Sequence, residues 1–576
     1  MSSDKDIKES HCLFCSLLCP IGVEFHERDV AFPFYKQEDG RACSRGSLSA
    51  ELLYHRDRLN VAYIGRGDER NPAPTAEAIS HTAQRLKALG QEVAVVVDGN
   101  LPCETILKAV HFARNVLKTE NVAVYLPHSD RGILEGLFAS GADLFAEEDL
   151  LDCNALLALG DPFASHPPIS KAVHDFRFKD RANRFLVADS YRGKTAEFTV
   201  DFYGLPPEGE DAFLAQVAQG LASDEDKALL EALPEVGVEV AAEAAGACQE
   251  TLTQAGKVAL LVTLGWAKNP RAEKIGALAG MIARQKGGVL PLLLYGNAQG
   301  AYRLAQNLKV RSLGALLSEI QEGKIKGLLS VGIDLATRLP EHLSQSLEGL
   351  EFLAQTASFN EENLPTADVV IPMALYLEES GTVLDGSGRK RRLETLLAPP
   401  KGALASGDIF DGLAQELGGG SLEAEITEEL LRIPATKPLK EILSETYHRE
   451  EREGTHTLIC EPSGIHFIEG SLTRRLRWPS AMEPRALVHM NSQDSQGLSL
   501  RVGDEVMVKS GDMEVVLPVE PSKRYAQGVV GLSAPFVEAQ RLLSSWIDEA
   551  GCIRVAPARV NLTKAREAQV AGPGRP

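Results

Sequence analysis

Between residues 75 and 435 the chain alternates helix-like segments with short apolar runs. Thr75–Leu89 is helix-like, and Val93–Val97 follows it as a continuous apolar run. Further runs fall at Val122–Leu126, Ala155–Leu159, Phe185–Ala188, Val258–Leu264, Val289–Leu294, Gly327–Val331 and Val369–Met373, each flanked by Gly, Asp or Pro. Apolar runs of this length suit strands buried on both faces of a parallel sheet. Their alternation with helices implies βαβ units and an α/β fold class. Two stretches, Ala155–Pro168 and Gly327–Pro340, read alike. In each a buried strand runs into Gly, with Asp at or just after it and Pro further on. Either they mark two related lobes, each able to hold a dinucleotide-like ligand, or they are chance likeness among βαβ units.

The pattern changes at both ends. Residues 1–58 are cysteine-rich, with a loop signal at Glu38-Asp39-Gly40. Residues 420–455 are charged and helix-like and read as a connector. After residue 456, Val506–Lys509, Glu514–Pro518 and Gly528–Leu532 are β-rich with Gly and Asp between them, which predicts a compact β-barrel.

Composition narrows the function classes. With 576 residues, three or four domains are expected. The net charge of −20 excludes a basic nucleic-acid footprint. The N-terminus MSSDKDIKES lacks the apolar core of a secretory signal, and no apolar run approaches the ~20 residues of a membrane span. A cytoplasmic protein is expected, with no direct membrane insertion and docking only through partners. In a reducing compartment the nine cysteines are not read as disulfides. Cys103, Cys153, Cys248, Cys460 and Cys552 are scattered and read as small buried hydrophobes.

The other four are Cys12-x2-Cys15-x3-Cys19 and, after 23 residues, Cys43. A cubane needs four thiolates at tetrahedral corners, and a tight loop can supply three of them. Zinc sites more often use two separated C-x2-C pairs, so three plus one favours a [4Fe–4S] cluster over zinc.

CLFCSLLC, GRACSRG and AELLYHRDRL together resemble the N-terminal cluster domain of the molybdenum/tungsten bis-pyranopterin oxidoreductases. Formate dehydrogenases, nitrate reductases and the large iron–sulfur subunit of respiratory complex I belong to that family. The resemblance runs along nearly the whole chain. It takes in Gly160-Asp161-Pro162 with His166-Pro167, the strand Phe185–Asp189, Pro207–Ala212, Gly296–Ala301, and Ala367–Pro372 with Glu379–Thr382 and Gly386–Arg389. Val488–Val506 and Val560–Thr563 resemble the pterin-capping barrel.

The resemblance implies four domains: a [4Fe–4S] domain (1–58), two Rossmann-like α/β lobes (59–255 and 256–445) and a C-terminal double-psi-type β-barrel (446–576). It implies a cluster on Cys12, Cys15, Cys19 and Cys43. Arg45 would lie between that cluster and a pterin. A molybdopterin guanine dinucleotide with Mo or W would lie on Gly160, Asp161, Asp189, Gly209, Asp211, Gly300, Gly332 and Asn561. Partners would be other iron–sulfur or flavin subunits, since no Gly-x-Gly-x-x-Gly fingerprint follows a strand.

Three positions depart from the family. The metal-ligand position falls at or near Ser129, beside His128, with no cysteine there. Ser129 is either an oxygen ligand, with His128 moving a proton, or part of a polar turn. The strand-end acid of the second lobe is replaced by Thr356. The Asp-Pro-Arg after the first-lobe strand reads Asp189-Ser190-Tyr191. Two readings follow: an oxidoreductase subunit passing electrons between a Mo/W-pterin site, or its remnant, and partner subunits; or a non-catalytic, complex I-like electron-transfer or scaffold subunit. A zinc-bearing binding module is the third.

Overall fold

The structure, a computed structural model, describes residues 7–25, 31–34, 43–234, 238–360, 364–447, 452–533 and 536–565. The loop signal at 38–40 lies outside the described residues. Two large sheets and a barrel organise the chain. One sheet has six parallel strands in the order Asp201–Gly204, Arg184–Asp189, Ala155–Leu159, Val258–Val262, Gly287–Pro291, Asp143–Leu144. The other has seven, in the order Asn71–Ala73, Ala62–Ile64, Val369–Pro372, Phe352–Ala357, Gly327–Val331, Val93–Asp98, Val122–Tyr125. Its first two strands join antiparallel, and the rest are parallel. The central strands Ala155–Leu159, Val258–Val262, Val93–Asp98 and Gly327–Val331 are buried at every position, which is why they read as unbroken apolar runs.

The strand pairing does not follow the expected cut at 255/256. Val93–Asp98 pairs with Gly327–Val331, while Ala155–Leu159 pairs with Val258–Val262. The six-stranded lobe is therefore an insertion within the seven-stranded one. Sequence order hides this, because adjacent βαβ units need not share a sheet. The expected helical connector at 420–455 is also different. From Gly418 to Pro438 the backbone is irregular, and among the described residues of the segment the one helix is Leu439–Ser444. Gly418-Gly419-Gly420, Pro434 and Pro438 explain this, since glycine runs and proline both oppose helix.

Six strands close the C-terminal barrel: His456–Cys460, Val529–Leu532, Val488–Asn491, Met513–Ser522, Glu505–Ser510 and Ala558–Lys564. Two of its neighbouring pairs are parallel. Among the described residues no helix is long and apolar enough to cross a membrane.

The helix His128–Ser140 links the last strand of the larger sheet to the inserted lobe, and it packs against Ala272–Ala283. Glycine makes that approach possible. A Cβ on Gly136 would stand 2.0 Å from the Glu273 carbonyl oxygen and 2.4 Å from the Ala277 amide. Both atoms are backbone and cannot swing away. Gly136→Val should cost about 3 kcal/mol, read from the urea midpoint. Gly246, in the helix Ala242–Gln254, has nothing within 4 Å of its Cβ position. Gly246→Ala should therefore stabilise by roughly 0.5 kcal/mol.

Candidate functional site

The C-terminal ends of both sheets meet the N-terminal loop. In that loop the Cys12 amide donates to the Cys19 carbonyl at 2.9 Å, and the Leu18 amide donates to Cys15 at 3.2 Å. The Ser16 amide donates to the Leu293 carbonyl at 3.1 Å, and the Leu293 amide donates back to Ser16 Oγ at 2.9 Å. Asn100, at the end of the larger sheet, donates to the Leu13 carbonyl at 3.2 Å. The loop is thus sewn to both lobes.

Cys12, Cys15 and Cys19 are buried, and Cys43 is half-buried. Burial, then proximity to Cys43 and Cys15, pushes the Cys12 thiol up. Burial lifts Cys15 to about 11 against the pull of Arg45. Soft-metal binding would have to displace these protons. Among the described residues no three His, Cys, Asp or Glu side chains close to metal-holding distance. The loop brings Cys12, Cys15 and Cys43 within electrostatic reach of one another without forming a shell.

Arg45, only 4% exposed, ties this loop to the rest. Its Nη2 donates to the Ser165 carbonyl at 2.6 Å and its Nη1 to the His466 carbonyl at 3.5 Å. Ser165 belongs to the six-stranded lobe, and His466 lies just after the first barrel strand. Burial works against its charge, but the neighbouring Cys43 and Cys15 outweigh burial and raise the guanidinium pKa. A small cavity of about 30 Å³ opens here, lined by Cys15, Arg45, His166, Trp266, Glu461 and His466 among others.

Ser129 sits in the first turn of the crossing helix, 3% exposed, and its hydroxyl makes no hydrogen bond among the described residues. On one side Asp130 accepts the Leu294 and Tyr295 amides, both at 2.9 Å. On the other, His128 lines a cavity of about 170 Å³ with Arg131, Trp266, Tyr302 and Cys552. Burial, then Arg554, pushes His128 down to about 3. The ring is therefore neutral at neutral pH, where an ordinary imidazole would be close to its titration point. Sequence reading missed this because burial is set by the tertiary fold and Arg554 comes from the C-terminal domain, where it pairs with Glu273 at 2.6 Å.

The two look-alike stretches have matching backbones. Gly160 and Gly332 both take positive φ, 94° and 81°. Asp161 caps the four-residue helix Pro162–Ser165, and Asp334 caps Leu335–Arg338. Beside Gly332 lies a cavity of about 130 Å³, lined by Asp98, Asn100, Asp334, Arg338, Thr356 and Glu469 among others. Thr356 Oγ1 accepts the Gly332 amide at 2.8 Å. Beside Gly160, Asp189 is ion-paired with Lys268, and Asp211 holds Arg271 at 2.8 Å. Gly209 stands at the N-terminus of Glu210–Leu221, and its amide bonds to Pro206.

Two expected ligand positions do not join this site. Gly300 is packed in the helix Ala298–Asn307, where a Cβ would stand 2.3 Å from Asn297 Oδ1 and 2.7 Å from Cys103 Sγ. Asn561 is exposed on the barrel, its Oδ1 accepting the Thr455 amide at 3.3 Å. The residues that sequence reading missed are Lys268, Asn269 and Arg271, a cationic Lys-x-x-Arg signal visible after the strand Val258–Val262.

Two nested α/β lobes thus carry a cysteine loop across their strand ends, with a barrel held against them at Arg45. A model of the molydopterin dinucleotide binding domain matches residues 466–555. The F420-dependent formate dehydrogenase 1 subunit alpha of Methanococcus maripaludis is 23% identical, covering 95% of this chain and 97% of its own. An NADH-quinone oxidoreductase subunit of Rhizobium meliloti is 24% identical, covering 85% of this chain and 65% of its own. The solved acetylene hydratase from Pelobacter acetylenicus superposes with a TM-score of 0.74 at 13% identity, over 97% of this chain and 100% of that one. Residues 466–555 thus match a molydopterin dinucleotide binding domain, and the similarity to formate dehydrogenase alpha subunits runs along nearly the whole chain.

Histidine titration tests these surroundings. The His128 ring proton shift should stay fixed between about pH 8 and about pH 5, followed by NMR. Its depressed pKa means that protonation favours the unfolded chain, so its share of stability falls as pH drops below 6.5. His489 is the opposite case. Burial lowers its pKa, but the bond to Glu461 at 2.7 Å outweighs burial and raises it overall. Its contribution is full below 6.5 and is lost as pH rises through the raised value.

Proposed function

We propose that the chain is a redox subunit that passes electrons between a molybdenum- or tungsten-pterin centre and partner iron–sulfur or flavin subunits, through one [4Fe–4S] cluster on Cys12, Cys15, Cys19 and Cys43. The observation that carries this reading is Arg45. A buried cation joins the cysteine loop to the inserted lobe and to the barrel matched by the dinucleotide-binding model. A cation at that point stabilises a reduced cluster and supplies donors for pterin acceptors.

The orphaned Ser129 hydroxyl fits a hard ligand at a high-valent metal. When bound, the metal–pterin group would supply two-electron chemistry. The chain's own residues do the rest. Asp130 fixes the start of the crossing helix against Leu294 and Tyr295, and so sets where Ser129 points. Ser129 is itself buried, next to the cavity that His128 lines. The relatives' formate dehydrogenase names make formate the first substrate to assay.

Protein matured in its own host should contain about four iron per chain and give an EPR signal on reduction. Cys15→Ser should remove both, and an undiminished iron content in that variant would refute the cluster. Ser129→Ala should abolish turnover with partner subunits present and leave iron unchanged. Full activity in Ser129→Ala would remove this residue from the reaction.

A further inference from the structure

In an open α/β sheet, ligands bind in the crevice beyond the carboxyl ends of two neighbouring strands whose connections leave in opposite directions. In the seven-stranded sheet that point lies between Val93–Asp98 and Gly327–Val331. It is open: the cavity beside Gly332 is there, with Asp98 and Asn100 on one wall and Asp334 on the other. In the six-stranded sheet the same point lies between Ala155–Leu159 and Val258–Val262.

There the chain's own side chains take up the acids of the crevice, leaving the small cavity of about 30 Å³ beside His166 and Trp266. The loop after Val262 carries three donors onto three acids. Lys268 Nζ donates to Asp189 Oδ1. Asn269 Nδ2 donates to Glu210 Oε2 at 2.8 Å. Arg271 donates through Nε and Nη2 to the two oxygens of Asp211, at 2.8 and 3.0 Å.

Asp161 is likewise committed. Its carboxylate accepts the Thr195 amide at 2.9 Å, the Thr195 hydroxyl at 2.6 Å, the Lys194 amide at 2.8 Å and the Tyr191 hydroxyl at 3.1 Å. Gly193 packs directly against it, since a Cβ there would stand 2.1 Å from Asp161 Oδ2.

The opening is then covered from the barrel side. The Tyr191 ring stacks on Tyr525 with centroids 5.5 Å apart and planes within 5°. The Arg192 amide donates to the Arg524 carbonyl at 2.9 Å.

The strand-end acid shows what this means for a ligand. Reading a guanine edge takes both oxygens of one carboxylate, because the base offers two adjacent N–H donors. Asp189 Oδ1 is taken by Lys268 and by the Ser190 amide at 2.5 Å. Only Oδ2 lacks a partner. A single oxygen beside an ammonium is the wrong receptor for that edge. In the other lobe the corresponding strand end carries Thr356, whose hydroxyl has no charge with which to select a base.

We infer that the dinucleotide cradle of the six-stranded lobe has become a clamp between that lobe and the barrel, so that the chain takes one pterin dinucleotide, at the seven-stranded lobe, in place of two. The inference rests on the reading of the chain as a pterin protein, and two measurements separate the failures.

The first is a count of the nucleotide monophosphates released by acid from protein matured in its own host, per polypeptide. One is expected, and two overturns the inference. The second is hydrogen exchange and nucleotide count in Tyr525→Ala. A clamp predicts that amides at 189–195 and 522–526 exchange about tenfold faster while the count is unchanged. Unchanged exchange, or a count that falls with this substitution, overturns it. Lys268→Met provides a second variant should Tyr525→Ala fail to fold, with the same two readouts. A count of zero with faster exchange supports the clamp and refutes the pterin reading instead.

Discussion

The pairing of Val93–Asp98 with Gly327–Val331 sets the rest of the molecule. Its register runs from Val93 opposite Gly327 to Val97 opposite Val331. After Val122–Tyr125 the chain, including the whole six-stranded lobe, must leave the larger sheet and come back. Loop-closure entropy grows slowly, by about 0.6 kcal/mol per doubling of length, so a folded insertion of this size is thermodynamically tolerable. Its geometric consequence is large. The helix His128–Ser140 has to cross between lobes, and it does so at the distance that Gly132, Gly136 and Gly276 permit. That crossing brings the carboxyl ends of both sheets to one place. There Leu13 meets Asn100 and Ser16 meets Leu293.

Bringing strand ends together buries charge, and the fold answers with pairs that join separate segments. Arg58 of the N-terminal unit reaches Glu378 at 2.5 Å. Arg338 of the larger lobe reaches Glu469 near the barrel at 2.9 Å. Glu273 takes Arg131 from the crossing helix and Arg554 from the C-terminal domain, and Arg554 also holds Asp548 at 2.7 Å. Despite burial, the two arginines push Glu273 down to about 2. Such pairs need not add net stability over an apolar replacement, but removing one partner leaves a bare buried charge at a cost of about 3–5 kcal/mol. They act chiefly as registration points, fixing where the barrel sits on the lobes.

The legibility of this fold in the sequence follows the range of the interactions. Thr75–Leu89 is a helix over the residues its pattern predicts, and the apolar runs are strands, because both signals are local. The likeness of Ala155–Pro168 to Gly327–Pro340 is also local, and it recurs as strand, positive-φ glycine and capping aspartate in both lobes. Which strands share a sheet was not legible, since it depends on pairing between Val93 and Gly327. Nor was the state of the candidate residues. His128 and Asp189 are ordinary in sequence; burial shifts both, with Arg554 adding to the shift at His128 and Lys268 opposing it at Asp189, each far along the chain.

This difference in range also explains what the family motifs are for. Asp368, in the Ala-Asp-Val-Val-Ile-Pro run, accepts the Leu353 amide at 2.7 Å and pairs with Arg66, stapling three segments of the larger lobe. Glu379 accepts the Ser406 amide and hydroxyl at 3.0 and 2.6 Å, and Asn297 accepts the Leu384 amide at 3.1 Å. These residues contact backbone at element junctions, so selection for the architecture alone suffices to keep them. A chain can therefore carry the family's most specific motif while the groups that would touch a cofactor change. Ser129 stands in the first turn of the crossing helix, Thr356 at one strand end, and Lys268 sits on the acid at the other. Motifs that staple the backbone report the fold, and the strand-end groups, with their partners from other segments, decide what the fold can still bind.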